Sequence, residues 1–364
     1  MTNNASNFGS TVNQIQNAGI ASYQVIAGQL LVIPTLEGLQ RAYDSLTGEG
    51  ITASQQATFG ARAHFASTVM SGADSMAFCD ERDHRIAQEC RKRTRTWFEA
   101  MYLDGHQGGN LNTASTQQSI SSLTGGYEAR INSNALVGTA IDLNNISFSV
   151  PNRWTSGSTT GASAAAYGMV WSNLGFYGKG MISAGGFDNE TDRTALGRHV
   201  SGDYSAYAVG SAVEVGYRQQ FNGISLSPFV AYQYDRLIQP SWSEDESVYG
   251  NYYHRQIANS QGLLAGLRFD ATAIQDEQAW IRIFGRVAYM RELSAERSLT
   301  VESLAARGFS WHVDGLQAPE DSVLIDLGLQ SRIGEGVDMT LKGSYTGYTD
   351  GSQSSGSVSL SFKF

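Results

Sequence analysis

The chain has 364 residues, with 34 acidic against 25 basic side chains and a net charge of −9 at pH 7. That balance argues against nucleic acid as a partner, and the lack of any run of about 18 apolar residues excludes a transmembrane helix. The mean hydropathy of −0.25 looks soluble, but strands alternating between lipid and water give the same average.

Met1 is followed by TNNASNFGS, which has neither the basic start nor the apolar segment of a signal peptide. The expectation is a mature or excised portion of a longer chain, with Met1 added. Residues 1–94 read as helical or irregular, as a linker and pre-barrel segment. GSTVNQIQNAGIASYQ is small, polar and uncharged nearly all round, a weak pattern for a soluble surface helix. Two readings stay open for it: a segment threaded through a polar pore, or a disordered leader. In YQVIAGQLLVIPTLEGLQRAYDSLTGEG apolar positions recur three and four apart, with Pro34 as a break and Gly48 and Gly50 as stops. TASQQATFGARAHFASTVM is a further helical stretch that Thr52 or Ser54 could cap. Cys79 and Cys90 bracket DERDHRIAQE at a spacing that fits no zinc or CxxC pattern. They read as a disulfide loop in an oxidising compartment or as two free thiols.

From about Trp97 onward the hydrophobic period is two. Twelve runs can be drawn, at about 95–104, 114–131, 135–149, 162–171, 174–187, 204–220, 224–238, 259–273, 279–293, 321–333, 338–350 and 356–364, each long enough to cross a membrane at a tilt. The connections alternate in length. NSN, SN, FNG, IQDEQ and GEGV are short; GHQGGNLNT, PNRWTSGSTTG, DNETDRTALGRHVSGD and the stretches 239–255 and 294–320 are longer and polar, and only GSQSS departs from the rule. A membrane barrel sorts its connections in this way, with short periplasmic turns and long outer loops; a soluble sandwich has no reason to. The fold class expected is all-β: a 12-stranded antiparallel transmembrane β-barrel over residues 95–364, preceded by an α-helical linker or plug.

The faces of the strands differ in chemistry. In VLIDLGLQSRI, Val323, Ile325, Leu327, Leu329 and Ile333 share one face, and Asp326, Gln330 and Arg332 the other. Across the runs one face collects Glu99, Glu128, Arg130, Glu214, Arg218, Arg268, Asp270, Arg282, Arg286, Asp326, Arg332, Lys342 and Lys363. These are the expected lumen-lining charges, because Arg or Lys on the lipid face costs about 2–4 kcal/mol near the midplane. Trp97, Tyr102, Tyr127, Trp171, Trp280, Tyr345 and Tyr348 lie near run ends, as interfacial girdles require. The last strand sets Val358, Leu360, Phe362 and Phe364 opposite Ser357, Ser359, Ser361 and Lys363.

Chemistry-bearing patterns are scarce. The six histidines show no HExxH spacing, and neither a GxSxG elbow nor a P-loop occurs. Asp188, Glu190 and Asp192 lack the EF-hand pattern and read, like WSEDESVYG, as a solvated acidic loop. No catalytic residue, cofactor or metal site is expected.

These residues resemble the β-domain, or translocator, of monomeric autotransporters. TWFEAMYLDG resembles the family's opening strand, GFSWHVDGLQAPEDSVLIDLGLQSRIG its later strands, and LTGEGITASQQATFGARAHFASTV the Leu-Ser-Gly-Glu-x-x-Ala-Ser segment before the barrel. Ile51 stands where members often have His or Tyr. The resemblance covers roughly residues 40–364. It implies a monomeric barrel in a Gram-negative outer membrane, in contact with lipid and lipopolysaccharide, with a helix in or near its pore. It also implies delivery of an N-terminal passenger to the cell surface, with periplasmic chaperones and the barrel-assembly machinery as partners. The terminal residues Val358, Leu360, Phe362 and Phe364 would be the signal that machinery reads. Some members cut their own linker at paired Asn residues; Asn3 and Asn4 are such a pair, but the surrounding motif is missing and a simple polar tail is expected. The competing readings are a stand-alone porin or channel with residues 1–94 as its plug, and an outer-membrane enzyme.

Overall fold

In the computed structural model residues 1–77, 92–221, 223–245, 247–275 and 280–364 are described; Cys79 and Cys90 fall outside them. Four helices come first: α1 (Asn3–Asn17), α2 (Gln24–Leu31), α3 (Leu36–Leu46) and α4 (Thr52–Ala77). The Thr2 and Thr35 hydroxyls accept the N–H of Ala5 and of Gly38, both at 3.1 Å, so α1 and α3 begin on the caps their threonines provide. Strands follow in the order β1 (Thr94–Gln107), β2 (Thr116–Asn132), β3 (Ala135–Val150), β4 (Thr155–Trp171), β5 (Phe176–Ala195), β6 (Arg198–Tyr217), β7 (Gln219–Phe221) and β8 (Ile224–Gln239). Then come β9 (Trp242–Ser243), β10 (Asn251–Tyr253), β11 (Gln256–Gln275), β12 (Trp280–Glu292), β13 (Ser298–Ser303), β14 (Ser310–Asp314), β15 (Asp321–Gly334), β16 (Val337–Tyr348) and β17 (Gly351–Lys363).

Among the described residues, twelve strands close a barrel in the order β11-β12-β15-β16-β17-β1-β2-β3-β4-β5-β6-β8, with β8 pairing back on β11 and β7 continuing β6 past Arg218. Every pair is antiparallel. β17 meets β1 from Arg95↔Lys363 to Gln107↔Gly351, which leaves the barrel no free edge. The alternation sorts as its chemistry demands. Val213, Val215, Val323, Ile325, Leu327 and Leu329 point outward and are about half exposed, whereas Glu128, Glu214 and Asp338 point inward and are buried. Arginine at Val213 should therefore lower stability by about 2–4 kcal/mol, while arginine at Asp203, on the same face but beyond the lipid band, should change it by less than about 1 kcal/mol. The urea midpoints of the two lipid-embedded variants check this.

The strands run further than their apolar residues suggest. DNETDRTALGRHVSGD is a hairpin and not a loop: β5 and β6 pair up to Ala195↔Arg198, and the turn is Leu196–Gly197, with φ of +48° and +76°, as two-residue hairpins prefer. Alternation continues throughout, with Asn189, Thr191 and Arg193 buried and Asp188, Glu190 and Asp192 exposed. Outward residues turn polar where a barrel strand stands clear of lipid, so polarity there is compatible with a paired strand and does not mark a loop.

The stretches 239–255 and 294–320 are also structured. They contribute β9, β10, β13 and β14 to a second sheet, ordered β14-β13-β10-β9. α1, α2 and α3 pack on it through a core that joins Phe8, Val12, Ile15, Tyr23, Ile26 and Leu30 to Leu299, Val301, Trp311 and Val313. This cap sits on the rim that bears the long connections.

Candidate functional site: the helix-filled lumen

The segment inside the barrel is α4. It enters at the long-connection rim, where Thr52 lies against Gly315, and reaches the short-turn end, where the Met76 carbonyl accepts the Arg130 guanidinium. One side of its first half is a stripe of Ala53, Ala57 and Ala61, four apart, packed on Met101, Leu103, Ile120, Ile146 and Phe148. Small side chains at that spacing let the backbone approach a flat wall. Further along, Phe65, Val69, Met70 and Ala73 meet Trp97, Leu136, Ala140, Met169 and Met181, and Phe59 meets Phe187 and Leu237. The wall beneath the helix is therefore largely apolar.

Polar contacts fix its register. The Arg62 Nε donates to Asp235 Oδ1 at 2.6 Å and its terminal nitrogen to the Ser183 hydroxyl at 2.6 Å. Both side chains of the pair are under a tenth exposed. Thr68 donates to Glu99 at 2.8 Å, and His64 lies 3.6 Å from the same carboxylate. Lys179 donates to Asp74 at 2.9 Å and to the Met70 carbonyl at 2.7 Å; Arg95 donates to the Gly72 carbonyl at 2.8 Å. The basic groups thus collect toward the C-terminal half of the helix, the end its dipole makes negative.

The remaining wall charges neutralise one another. Lys342 pairs with Glu99 at 3.6 Å, Arg95 with Glu128 at 3.0 Å and Arg218 with Asp270 at 2.8 Å. Arg282 pairs with Asp270 at 3.2 Å, Arg286 with Asp326 at 2.7 Å and Lys363 with Asp338 at 2.9 Å. Arg332 lies 3.8 Å from Asp338, and Arg268 is paired with Glu214. Between this charged half and α4 a cavity of about 150 Å³ remains, lined by Arg218, Asp270, Arg282, Arg286, Asp326 and Lys342.

At the rim, Glu49 ties the lumen to the cap. It accepts Arg153 Nε at 2.8 Å, the Asn4 amide at 3.2 Å and the Ala114 N–H at 2.8 Å. Gly48 before it has φ +78°, and a Cβ there would sit 2.7 Å from the Tyr253 hydroxyl; glycine alone suits both demands. Higher in the cap, Glu302 accepts Arg307 Nε at 2.8 Å and the Gly308 N–H at 3.1 Å and lies 2.9 Å from His254. Burial would raise its carboxyl, and these donors outweigh burial and hold it below its ordinary value.

A family model described as autotransporter β-domain matches residues 96–346, from within β1 to within β16 and so most of the closed barrel. The chain belongs to the autotransporter β-domain family. A search of curated proteins matches none. Among solved structures, the translocator domain of the autotransporter NalP from Neisseria meningitidis is similar with a TM-score of 0.69 at 18% identity, covering 87% of this chain and 99% of that one. The β-domain of the Bordetella autotransporter BrkA is similar with a TM-score of 0.57 at 14% identity, covering 75% of this chain and all 100% of that one. At such identities the likeness is one of fold. As a β-domain of this family, the protein is an outer-membrane barrel that delivers its own N-terminal passenger to the cell surface.

In this translocator domain the thirteen charges taken from the alternation pair with other wall charges or with α4. Lys179, Asp235, Asp338 and Arg95 join them, and α4 adds Arg62, His64 and Asp74. Parity along YGKGM and YQYDRL could have found Lys179 and Asp235, but nothing local marks α4 as their partner. GSTVNQIQNAGIASYQ does not thread the pore: it forms α1 and the start of α2 in the cap. Asn3 opens α1, and Asn4 spends its amide on Glu49 and on the Asp314 carbonyl. Trp97 is not a girdle residue. It shares its parity with Glu99, is 4% exposed and donates to the Tyr167 hydroxyl at 3.3 Å inside the barrel. Tyr102, Tyr127 and Tyr345 do point outward and are about half exposed. WSEDESVYG is not simply solvated, since Glu244 is buried against Arg193 with contacts of 2.6 and 2.5 Å. On the last strand Val358, Leu360 and Phe364 are exposed on the outer face, while Ser357 and Ser361 are buried.

Proposed function

We propose that the barrel is inserted in a Gram-negative outer membrane with its long connections at the cell surface, leads out a passenger joined ahead of residue 1, and is then held shut by α4. One observation carries this reading: α4 runs the length of the lumen with its N-terminal end at the long-connection rim, so residues 1–51 lie on the side where a passenger must be. The work is physical and calls for no catalytic residue or cofactor. An extended chain passes a wall whose charges are already paired, and the helix that follows fills the space behind it. The domain acts as a monomer among lipid and lipopolysaccharide.

Insertion depends on periplasmic chaperones and the barrel-assembly machinery, which reads Val358, Leu360, Phe362 and Phe364. Deleting Phe364 should lower the yield of assembled barrel, measured as the heat-modifiable band on a cold gel; an unchanged yield would remove the signal role. Surface display tests the whole reading. A signal peptide and a small reporter are fused ahead of residue 1, and external protease is added to intact cells. Loss of the reporter while periplasmic controls survive supports the translocator. A barrel that inserts while the reporter stays protected supports a channel with a plug.

A further inference from the structure

The side chains that suit α1 poorly to open solvent have partners. Asn4, Asn7 and Thr11 recur three and four apart and so share one helix face. All three reach β14. The Asn4 amide donates to the Asp314 carbonyl at 2.8 Å and its own oxygen accepts the Asp314 N–H at 2.9 Å. Asn7 donates to the His312 carbonyl at 3.4 Å, and the Thr11 hydroxyl lies 3.3 Å from the Ser310 carbonyl and 3.2 Å from the Asn7 carbonyl, its one proton shared between them. β14 ends its sheet and pairs on its other side with β13. The three donors therefore meet the alternate carbonyls that a bare edge strand offers to any passing chain. The adjoining helix face buries Phe8, Val12 and Ile15, with the Phe8 ring edge-on to Trp311 at 4.9 Å. Tyr23, Ile26 and Leu30 extend the same core.

We propose that the loop-built sheet is a docking site for residues 3–31 of this chain. It holds them, and whatever precedes them, on the barrel mouth without needing the covalent connection to α3. The placement of that mouth at the cell surface rests on the translocator reading. Its consequence is that a passenger severed between α2 and α3 stays attached to the cell. The connection there is open to a protease, with Val32 78% and Leu36 69% exposed.

The test uses the full chain with an epitope tag ahead of residue 1 and a protease site inserted between Val32 and Ile33. After cutting, the tagged piece should co-elute with the barrel on gel filtration in detergent. Phe8→Asp should cut the retained fraction about tenfold. The milder pair Asn7→Ala and Thr11→Ala, which leaves the apolar core intact, should also reduce it. Release of the tagged piece from the otherwise unchanged chain overturns the proposal, as does retention that none of these substitutions alters. Antibody access to the tag on intact cells is read separately. A tag that is retained but shielded would count against the translocator reading and leave the docking site standing.

Discussion

Methionine in place of Arg62 should destabilise the filled barrel by about 3–5 kcal/mol. The Arg62 and Asp235 side chains are 2% and 7% exposed, so the substitution leaves a buried carboxylate without its ion-pair partner. Its remaining side-chain donor would be Gln233, at 2.9 Å. Ser183 would lose its Arg62 donor as well. The double variant Arg62→Met, Asp235→Leu should recover most of the loss, because replacing both members of a buried pair removes the unmet charge. Thermal unfolding of the three proteins in one detergent separates these outcomes. Single-channel recording adds a second readout: if Arg62 holds α4 to the wall, open steps should become more frequent in the single variant and return toward the original in the double. Equal stability of all three would show that water reaches the pair and that α4 is held by packing alone.

Alanine in place of Trp311 should unlock the cap while leaving the barrel closed. Trp311 is 3% exposed, meets Phe8 edge-on and donates its indole N–H to the Thr47 carbonyl at 3.0 Å. Truncating a buried tryptophan costs about 3–5 kcal/mol. The loss should stay local. The cap core and the lumen clusters are separate sets of residues, and the barrel is stitched by its own continuous ladders. Limited proteolysis should therefore cut residues 1–47 rapidly in the variant while the heat-modifiable band persists. Loss of both together would mean that cap and barrel form one cooperative unit.

Much of this architecture is a local matter. Each strand meets lipid on one face and a packed or charged interior on the other, so its own residues carry both the period of two and the side that keeps its charges. Glu214 between Val213 and Val215, or Asp326 between Ile325 and Leu327, is sorted without reference to any neighbour. The alternation of short and long connections adds the strand order and the two ends of the barrel. The shift from apolar to acidic outward residues along β5 is equally local, but it was legible only as polarity, and polarity alone does not separate a strand above the membrane from a loop.

Which helix occupies the lumen could not be read in this way. A polar, uncharged stretch suits a polar pore, and on that ground residues 9–24 were an open candidate. The wall that decides the matter exists only once β1 to β5 stand side by side and bring Met101, Ile120, Ile146, Met169 and Met181 onto one surface. Against that surface an alanine stripe packs closely, and Asn and Gln would lose their hydrogen bonds. The same holds for the cap. Glu244 looks solvated until Arg193 reaches it from another hairpin, and Asn4, Asn7 and Thr11 look unsuited to any helix until the β14 edge is placed beside them, some 300 residues further along the chain. The barrel, its two faces and its two ends were legible in the residues alone, because each strand reports its own surroundings. The tertiary structure decided the contents of the barrel and the covering of its mouth, because those depend on surfaces that no single segment possesses.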